Sequence, residues 1–248
     1  MSPRPASHEL CHVLREDPDL AEAIPPARRA QAIEELTALV LRIPAGPWPA
    51  EPSSPLRADI GLLVFKGLML RRVGIEGRYG AELLGECDVL RPGQGEDTPS
   101  PTLSTTTGWS VIEPTRLAVL DQQFAHRLVR YPELVGRLVG RAVQRCRHLA
   151  VNMAIVHQAR VDVRLHMLFW HLAARWGRVR SDGTLLPLRL THSVLADLVA
   201  ARRPTVTSAL SDLSRQGVIN FGDDGWLLRG DPPGELLNMG EVSLPSFD

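Results

Sequence analysis

Lysine is almost missing from this chain: Lys66 is the single one among 248 residues. Nearly all 28 basic residues are therefore arginine, which reflects codon bias in part, so arginine richness alone does not mark a nucleic-acid partner. Net charge is also missing, since 28 acidic residues balance the basic ones. Cysteine is scarce. Cys11, Cys87 and Cys146 stand far apart, with no CxxC pair and no metal-ligand spacing, which excludes a disulfide framework and a zinc ribbon. Long apolar runs are lacking as well. The most apolar stretch, Gly61 to Leu70, is ten residues and contains Lys66, too short to span a bilayer. The N-terminus carries no apolar run of the secretory kind. These absences predict a cytoplasmic protein with reduced thiols, no membrane partner and no cofactor, long enough for one large domain or two small ones.

The charge that is present is uneven. Arg127 to Arg160 holds seven arginines against Glu133, and Val161 to Gly230 holds nine arginines against six aspartates. A basic excess in the later half suits a polyanion, with a solvated basic face as the plain alternative.

In chain order, residues 1–50 read as a helical N-terminal extension with a Pro-rich connector. Ile33, Leu36, Leu39 and Val40 share one face of a helix expected over Ala30 to Ile43. His8-Glu9-x-x-His12 spells HExxH, which on a packed helix places two histidines as zinc ligands and the glutamate as base. Here it sits among prolines at the chain start, with nothing before it to build a cleft, so a chance match is the competing reading. Residues 51–131 change texture to short runs punctuated by glycine and proline: Gly61 to Gly67, Leu68 to Val73, Arg78 to Glu86, Trp109 to Glu113 and Thr115 to Leu120. Such runs suggest a small antiparallel barrel or roll.

Residues 132–159 predict one long helix, opened by Pro132 and Glu133. Val135, Val139, Ala142, Cys146, Leu149, Met153 and Val156 are spaced 4, 3, 4, 3, 4, 3, a heptad seam that favours a parallel homodimer over packing within one chain. Arg137, Arg141, Arg145 and Arg147 lie off the seam. Cys146 on a two-fold seam would face its own copy.

Residues 160–230 carry the most specific pattern. Val161 to Trp176 is an amphipathic helix that Gly177 ends. Thr191 is a plausible N-cap before Leu195, Leu198 and Val199 at i, i+3 and i+4. Ala200 to Arg202 form a turn, and Pro204 is tolerated in the first turn of the next helix. Val206, Leu210 and Leu213 give that helix its buried stripe, and Gly217 follows its last turn. Arg203, Thr207, Ser208, Ser211 and Arg215 then point outward, with Asp212 as the one carboxylate beside them. Small hydroxyls permit close approach to a surface, and arginines grip phosphates or a guanine edge. Asp224-Gly225 between apolar runs signals a hairpin directly afterwards. A helix-turn-helix followed by a hairpin is a winged helix. Residues 231–248 read as a tail.

This stretch resembles the C-terminal DNA-binding domain of the Crp/Fnr superfamily of bacterial transcription regulators. The matching residues are Thr191, Ala196, Val199, Arg203, Thr205, Val206, Leu210, Leu213 and Ile219. The resemblance implies Arg203 as a base reader, with Thr191 and Thr205 on the phosphate backbone. Arg202 and Arg215 join them as phosphate contacts, and Thr207, Ser208 and Ser211 face the groove floor. Pro204 and Ser208 depart from the acidic residue and the second arginine usual in the best-known members. The strand-rich segment resembles the cyclic-nucleotide-binding β-roll of the same superfamily. There Gly85-Glu86 occupies the place of the ribose-holding pair. Gln94 to Thr98 brings acids where a cyclic phosphate needs a cation, so no cyclic-AMP gating is expected, and the three scattered cysteines do not suit an iron–sulfur sensor.

The expectation is an α+β chain comprising an N-terminal antiparallel β-roll, a long dimerisation helix and a C-terminal winged helix-turn-helix. It would act as a homodimeric, sequence-specific DNA-binding transcription regulator on a near-palindromic double-stranded site. RNA polymerase is a further implied partner, and no catalytic or metal residues are assigned. Two readings compete: a zinc metalloenzyme at His8-Glu9-x-x-His12, and an interaction module on the same fold that no longer binds DNA.

Overall fold

The computed structural model describes residues 9–49, 59–76, 78–92 and 105–234. Two compact units divide the chain, residues 1–147 and 148–248. His8, Gln94 to Thr98 and most of the expected tail lie outside the described residues.

The first unit is built on a seven-stranded antiparallel sheet. Its strands are β1 (Leu10–His12), β2 (Thr37–Ile43), β3 (Gly46–Trp48), β4 (Gly61–Ile75), β5 (Arg78–Leu84), β6 (Val89–Leu90) and β7 (Thr106–Leu120). The order is β1-β2-β7-β4-β5, with β3 also on β7 and β6 also on β4. The runs expected as separate strands fuse: β4 and β7 each continue for 15 residues. Their ladder slips where Lys66 faces Arg116 but Leu68 faces Glu113. Pro114, which has no N–H to give a ladder, falls in that slip, and Gly67 crosses it at φ +107°. A Cβ on Gly67 would stand 2.5 Å from Thr115 Oγ1, so the strands approach this closely only because the side chain is absent. Val64, Met69, Leu84, Leu90, Trp109, Leu117 and Val119 fill the roll. A second cluster, including Val13, Leu14, Ile24, Leu36, Phe124 and Tyr131, packs the helices against the sheet's other side.

Those helices are α1 (Val13–Glu16), α2 (Pro18–Glu22), α3 (Pro26–Glu35) and α4 (Gln122–Leu128). The helix expected over Ala30 to Ile43 is corrected here. It stops at Glu35, Leu36 is fully buried at its C-cap, and residues 37–43 form β2. The helical spacing of Ile33, Leu36, Leu39 and Val40 was coincidental. Ala38 and Val40 are buried while Thr37, Leu39 and Leu41 are half-buried, the two-residue period of a strand. Residues 10–48 thus belong to the roll rather than to a helical extension before it. The HExxH reading fails for the same reason. Its described part runs from Glu9 into β1, where i and i+4 do not share a helix face. Glu9 accepts from Arg42, and His12 Nδ1 is 2.9 Å from Ile33 O. Among the described residues, no group of three or more histidine, cysteine or carboxylate side chains is placed to hold a metal ion.

α5 (Pro132–Val156) is the long helix, and the division between units falls within it. Its arginines do not form the free basic face that the charge count suggested. Arg141 donates to Asp17 at 2.6 and 2.8 Å and to Asp19 at 2.7 Å, and Arg137 also pairs with Asp19. Arg145 grips both carboxylate oxygens of Glu82, at 3.0 and 2.5 Å, and donates to Val89 O. Asp17 and Glu82 are buried, and a buried charge is tolerated only beside an opposite one, which Arg141 supplies to Asp17 and Arg145 and Arg71 supply to Glu82. The hydrogen bond from Arg137, followed by that from Arg141, holds the Asp19 carboxyl below the usual carboxylate range, with burial opposing.

The second unit contains α6 (Val161–Trp176), α7 (His192–Leu198), α8 (Arg203–Arg215) and a four-stranded antiparallel sheet. The strands are β8 (Arg178–Arg180), β9 (Gly183–Leu186), β10 (Ile219–Gly222) and β11 (Gly225–Leu228), in the order β10-β11-β9-β8. Among the described residues no helix is long and apolar enough to cross a membrane. His171 on α6 meets His148 edge-on, with ring centroids 5.5 Å apart. Burial, reinforced by the neighbouring His148, pulls the His171 imidazole down to about 4. An unfolded histidine titrates near 6.5, so between these values the unfolded chain takes up a proton that folded His171 refuses. That stabilisation is complete above the unfolded value and is lost as pH falls toward the folded one, by roughly 2–3 kcal/mol. Denaturant unfolding compared at neutral pH and at about pH 4.5 should show this loss, and His171→Gln should reduce it by about that amount.

Candidate nucleic-acid interface

α7 begins where Thr191 Oγ1 accepts from Val194 N at 3.3 Å, the N-cap expected from sequence. Val194, Leu195, Ala196 and Leu198 are buried. Its C-terminal carbonyls are held from outside: Arg164 of α6 donates to Val199 O at 3.1 Å, and Ala201 N returns to Ala196 O at 2.9 Å. Ala200 makes the turn at φ +50°, a left-handed conformation that costs a residue with a Cβ about 1–2 kcal/mol.

α8 then buries Val206, Ala209, Leu210 and Leu213. The opposite face is exposed: Arg203, Thr207, Ser208, Ser211 and Arg215, with Arg202 and Thr205 at the helix start. The hydroxyls on it are already engaged as donors. Thr207 donates to Arg203 O at 3.1 Å, Ser208 to Pro204 O at 3.3 Å and Ser211 to Thr207 O at 3.0 Å. Each returns its proton to its own helix and presents lone pairs outward. Arg215 pairs with Asp212 at 2.7 Å, an exposed contact of little energetic weight that a stronger anion can replace.

The hairpin β10–β11 closes through Asp223 and Asp224, with Gly222 paired to Gly225. Gly225 of the expected Asp-Gly turn is thus the first residue of β11, at φ +129°. A Cβ there would stand 2.3 Å from Leu186 O. Trp226 is buried between Phe169, 4.8 Å away, and Phe221, 4.6 Å away, while Phe221 itself is 55% exposed on the outer strand.

Between the start of α7, the outer face of α8 and the hairpin lies a cleft of about 920 Å³. Thr191, Arg203, Ser211 and Arg215 line it, which brings four of the eight sequence-assigned residues together; Arg202, Thr205, Thr207 and Ser208 lie on the exposed part of α8 outside the lining. His192, Ser214, Arg189 and Phe221 also line it and were not assigned from sequence. His192 leaves no periodic signal because it stands alone at the first position of α7. Phe221 was hidden inside a run read only as a strand.

Gly85 and Glu86 belong to the other unit. They lie in a tight turn that Asp88 closes, its carboxylate accepting from Gly85 N at 2.8 Å, with Glu86 exposed. Five of the seven seam residues of α5 are exposed, with Val135, Val139 and Met153 at 45%, 56% and 63% and Ala142 and Cys146 beside them, whereas Leu149 and Val156 are half-buried.

Residues 163–230 match the Crp-like helix-turn-helix domain family. The fold is similar to that of a CooA mutant from Carboxydothermus hydrogenoformans, with TM-score 0.60 and 17% identity, over 95% of this chain and 97% of that one. FixK2 from Bradyrhizobium japonicum is similar over 78% of this chain and 93% of its own, with TM-score 0.58 and 17% identity. A cyclic nucleotide-binding domain containing protein from Listeria monocytogenes EGD-e gives TM-score 0.63 and 14% identity, over 85% and 96%. At these identities the likeness is one of fold. No curated protein matches the sequence.

Ala200→Gly should relieve the left-handed turn and raise stability by about 1 kcal/mol, read as a higher denaturant midpoint with unchanged slope.

Proposed function

We propose, for a chain whose residues 163–230 are a Crp-like helix-turn-helix domain and whose fold is that of the Crp/Fnr regulators, that it is a homodimeric, sequence-specific DNA-binding transcription regulator. The observation that carries this reading is the outer face of α8, where Arg203 and the small hydroxyls are exposed while the apolar stripe is buried. A helix with that face fits a major groove. Arg203 supplies the base contact. Arg202, Thr191, Thr205 and Arg215 position the protein on phosphates, and Thr207, Ser208 and Ser211 face the groove floor. Two copies read two half-sites about one helical turn apart on a near-palindrome, and RNA polymerase is the partner through which a bound regulator acts.

Selection of bound fragments from genomic DNA by the purified protein should yield one enriched motif. Arg203→Ala should lower the ratio of specific to random binding by about 1–3 kcal/mol, whereas Arg215→Ala should weaken both alike and reduce the salt slope. Equal losses on both DNAs for Arg203→Ala would remove the assignment.

Dimerisation through α5 is supported by the exposed seam residues Val135, Val139, Ala142, Cys146 and Met153. Two such helices side by side would bury what one chain leaves in water. Independence from cyclic AMP is supported by the acids at Gln94 to Thr98 and by the turn geometry of Gly85-Glu86. Arg145 is also already committed to Glu82. Sedimentation should give a dimer that Val139→Glu converts to monomer, and calorimetry with cyclic AMP should give no micromolar binding.

A further inference from the structure

His192 and Thr207 meet across the turn between α7 and α8, and their hydrogen bonds fix which atom of the imidazole carries a proton. His192 Nδ1 lies 2.9 Å from Thr207 Oγ1. The threonine hydroxyl has one proton, and it goes to Arg203 O at 3.1 Å. The hydrogen in the first bond must then come from the imidazole. Nδ1 is the protonated nitrogen, and Nε2 of the neutral ring is a hydrogen-bond acceptor. His192 lines the same cleft as Arg203, and Thr207 stands one helical turn beyond Arg203 on the exposed face of α8. The bond therefore holds the ring beside the surface offered to DNA instead of leaving it to rotate in solvent. Restraint before binding lowers the ordering cost of a later contact.

We propose that His192 is a further specificity-determining residue. Its Nε2 accepts a hydrogen from the exocyclic amine of an adenine or cytosine in the major groove, near the base pair met by Arg203. Thr207 is the positioning residue that fixes the tautomer. This rests on the DNA-binding reading above. Adenine N6 and cytosine N4 share the donor that an acceptor needs, while guanine and thymine present acceptors at the corresponding edge. The pair thus favours amino over keto bases on one strand. Thr207 contributes its oxygen to the histidine, and its proton is not available to a base.

The test is selection from a randomised operator library by the full-length protein and four variants, with affinity for random DNA measured alongside. The wild type should prefer adenine or cytosine at one position per half-site. His192→Ala should reduce that preference by about tenfold at that position alone, with random-DNA affinity within about twofold. Thr207→Val should lose the same preference, because the freed ring can carry its proton on Nε2 and present a donor instead. Thr207→Ser, which keeps the hydroxyl, should retain it. His192→Asn keeps a donor near the Nδ1 position but has no Nε2, so it should hold Thr207 and still lose the preference. Even weakening of every sequence by His192→Ala would overturn the proposal, as would indistinguishable profiles for Thr207→Val and Thr207→Ser. A wild-type protein that selects no sequence sinks the DNA-binding reading itself. A wild type that selects a motif which His192→Ala leaves unchanged sinks only the role of the histidine.

Discussion

Burial of Val206, Ala209, Leu210 and Leu213 fixes what α8 can present. A helix advances 100° per residue, so once this stripe is committed to the core, Thr207, Ser208, Ser211 and Arg215 turn outward, and Arg203 borders the stripe at the exposed first position of the helix. The elements around it hold that orientation. Thr191 starts α7, Arg164 closes its far end, and Ala200 accepts a left-handed turn so that α8 leaves at the required angle. Gly225 lets the hairpin come close beneath Leu186, and Phe221 and Trp226 then wall one side of the cleft. The polar face needs no stabilisation of its own; it is the remainder after the apolar residues have been placed.

Arginine serves two unlike purposes in this chain. On α8 and the cleft rim it is exposed, Arg215 beside Asp212 and Arg189 donating to the Asp223 carbonyl. On α5, Arg141 and Arg145 are half-buried and bound to carboxylates that would be costly to desolvate alone. A count of basic residues along the chain merges the two groups, and only the fold separates them. The basic excess from Arg127 to Arg160 therefore overstated the charge open to a polyanion, whereas the smaller excess after Val161 includes arginines that line the cleft.

The sequence was most legible where one period extended unbroken. α5, α6, α7, α8 and the hairpin were each readable from apolar spacing, capping residues and turn chemistry, and the structure places their boundaries within a few residues. It was least legible from Leu10 to Trp48. There Ile33, Leu36, Leu39 and Val40 satisfy a helical spacing by chance, while pairing of β2 with β7, more than seventy residues away, decides the outcome. Local pattern cannot report a partner so distant, and tertiary pairing overrides weak helix preference. The same limit hid the fusion of short runs into β4 and β7, because Gly67 and Pro114 read as breaks when they are opposite sides of one bulge. In the cleft, the arginines and hydroxyls were legible from the face they share. His192 was not, since its position depends on a bond to a side chain fifteen residues later.

Arg137, Arg141 and Arg145 recur every fourth residue and so occupy a single edge of α5, each tied to the body of the first unit. Three anchors in a row act as a spline. The helix cannot roll about its long axis without releasing all of them together, because a roll by one residue carries the whole edge away from Asp17, Asp19 and Glu82. Angular play in this rod is therefore cooperative: the stripe from Val135 to Cys146 is offered at one fixed bearing or, once the anchors fail, at none in particular.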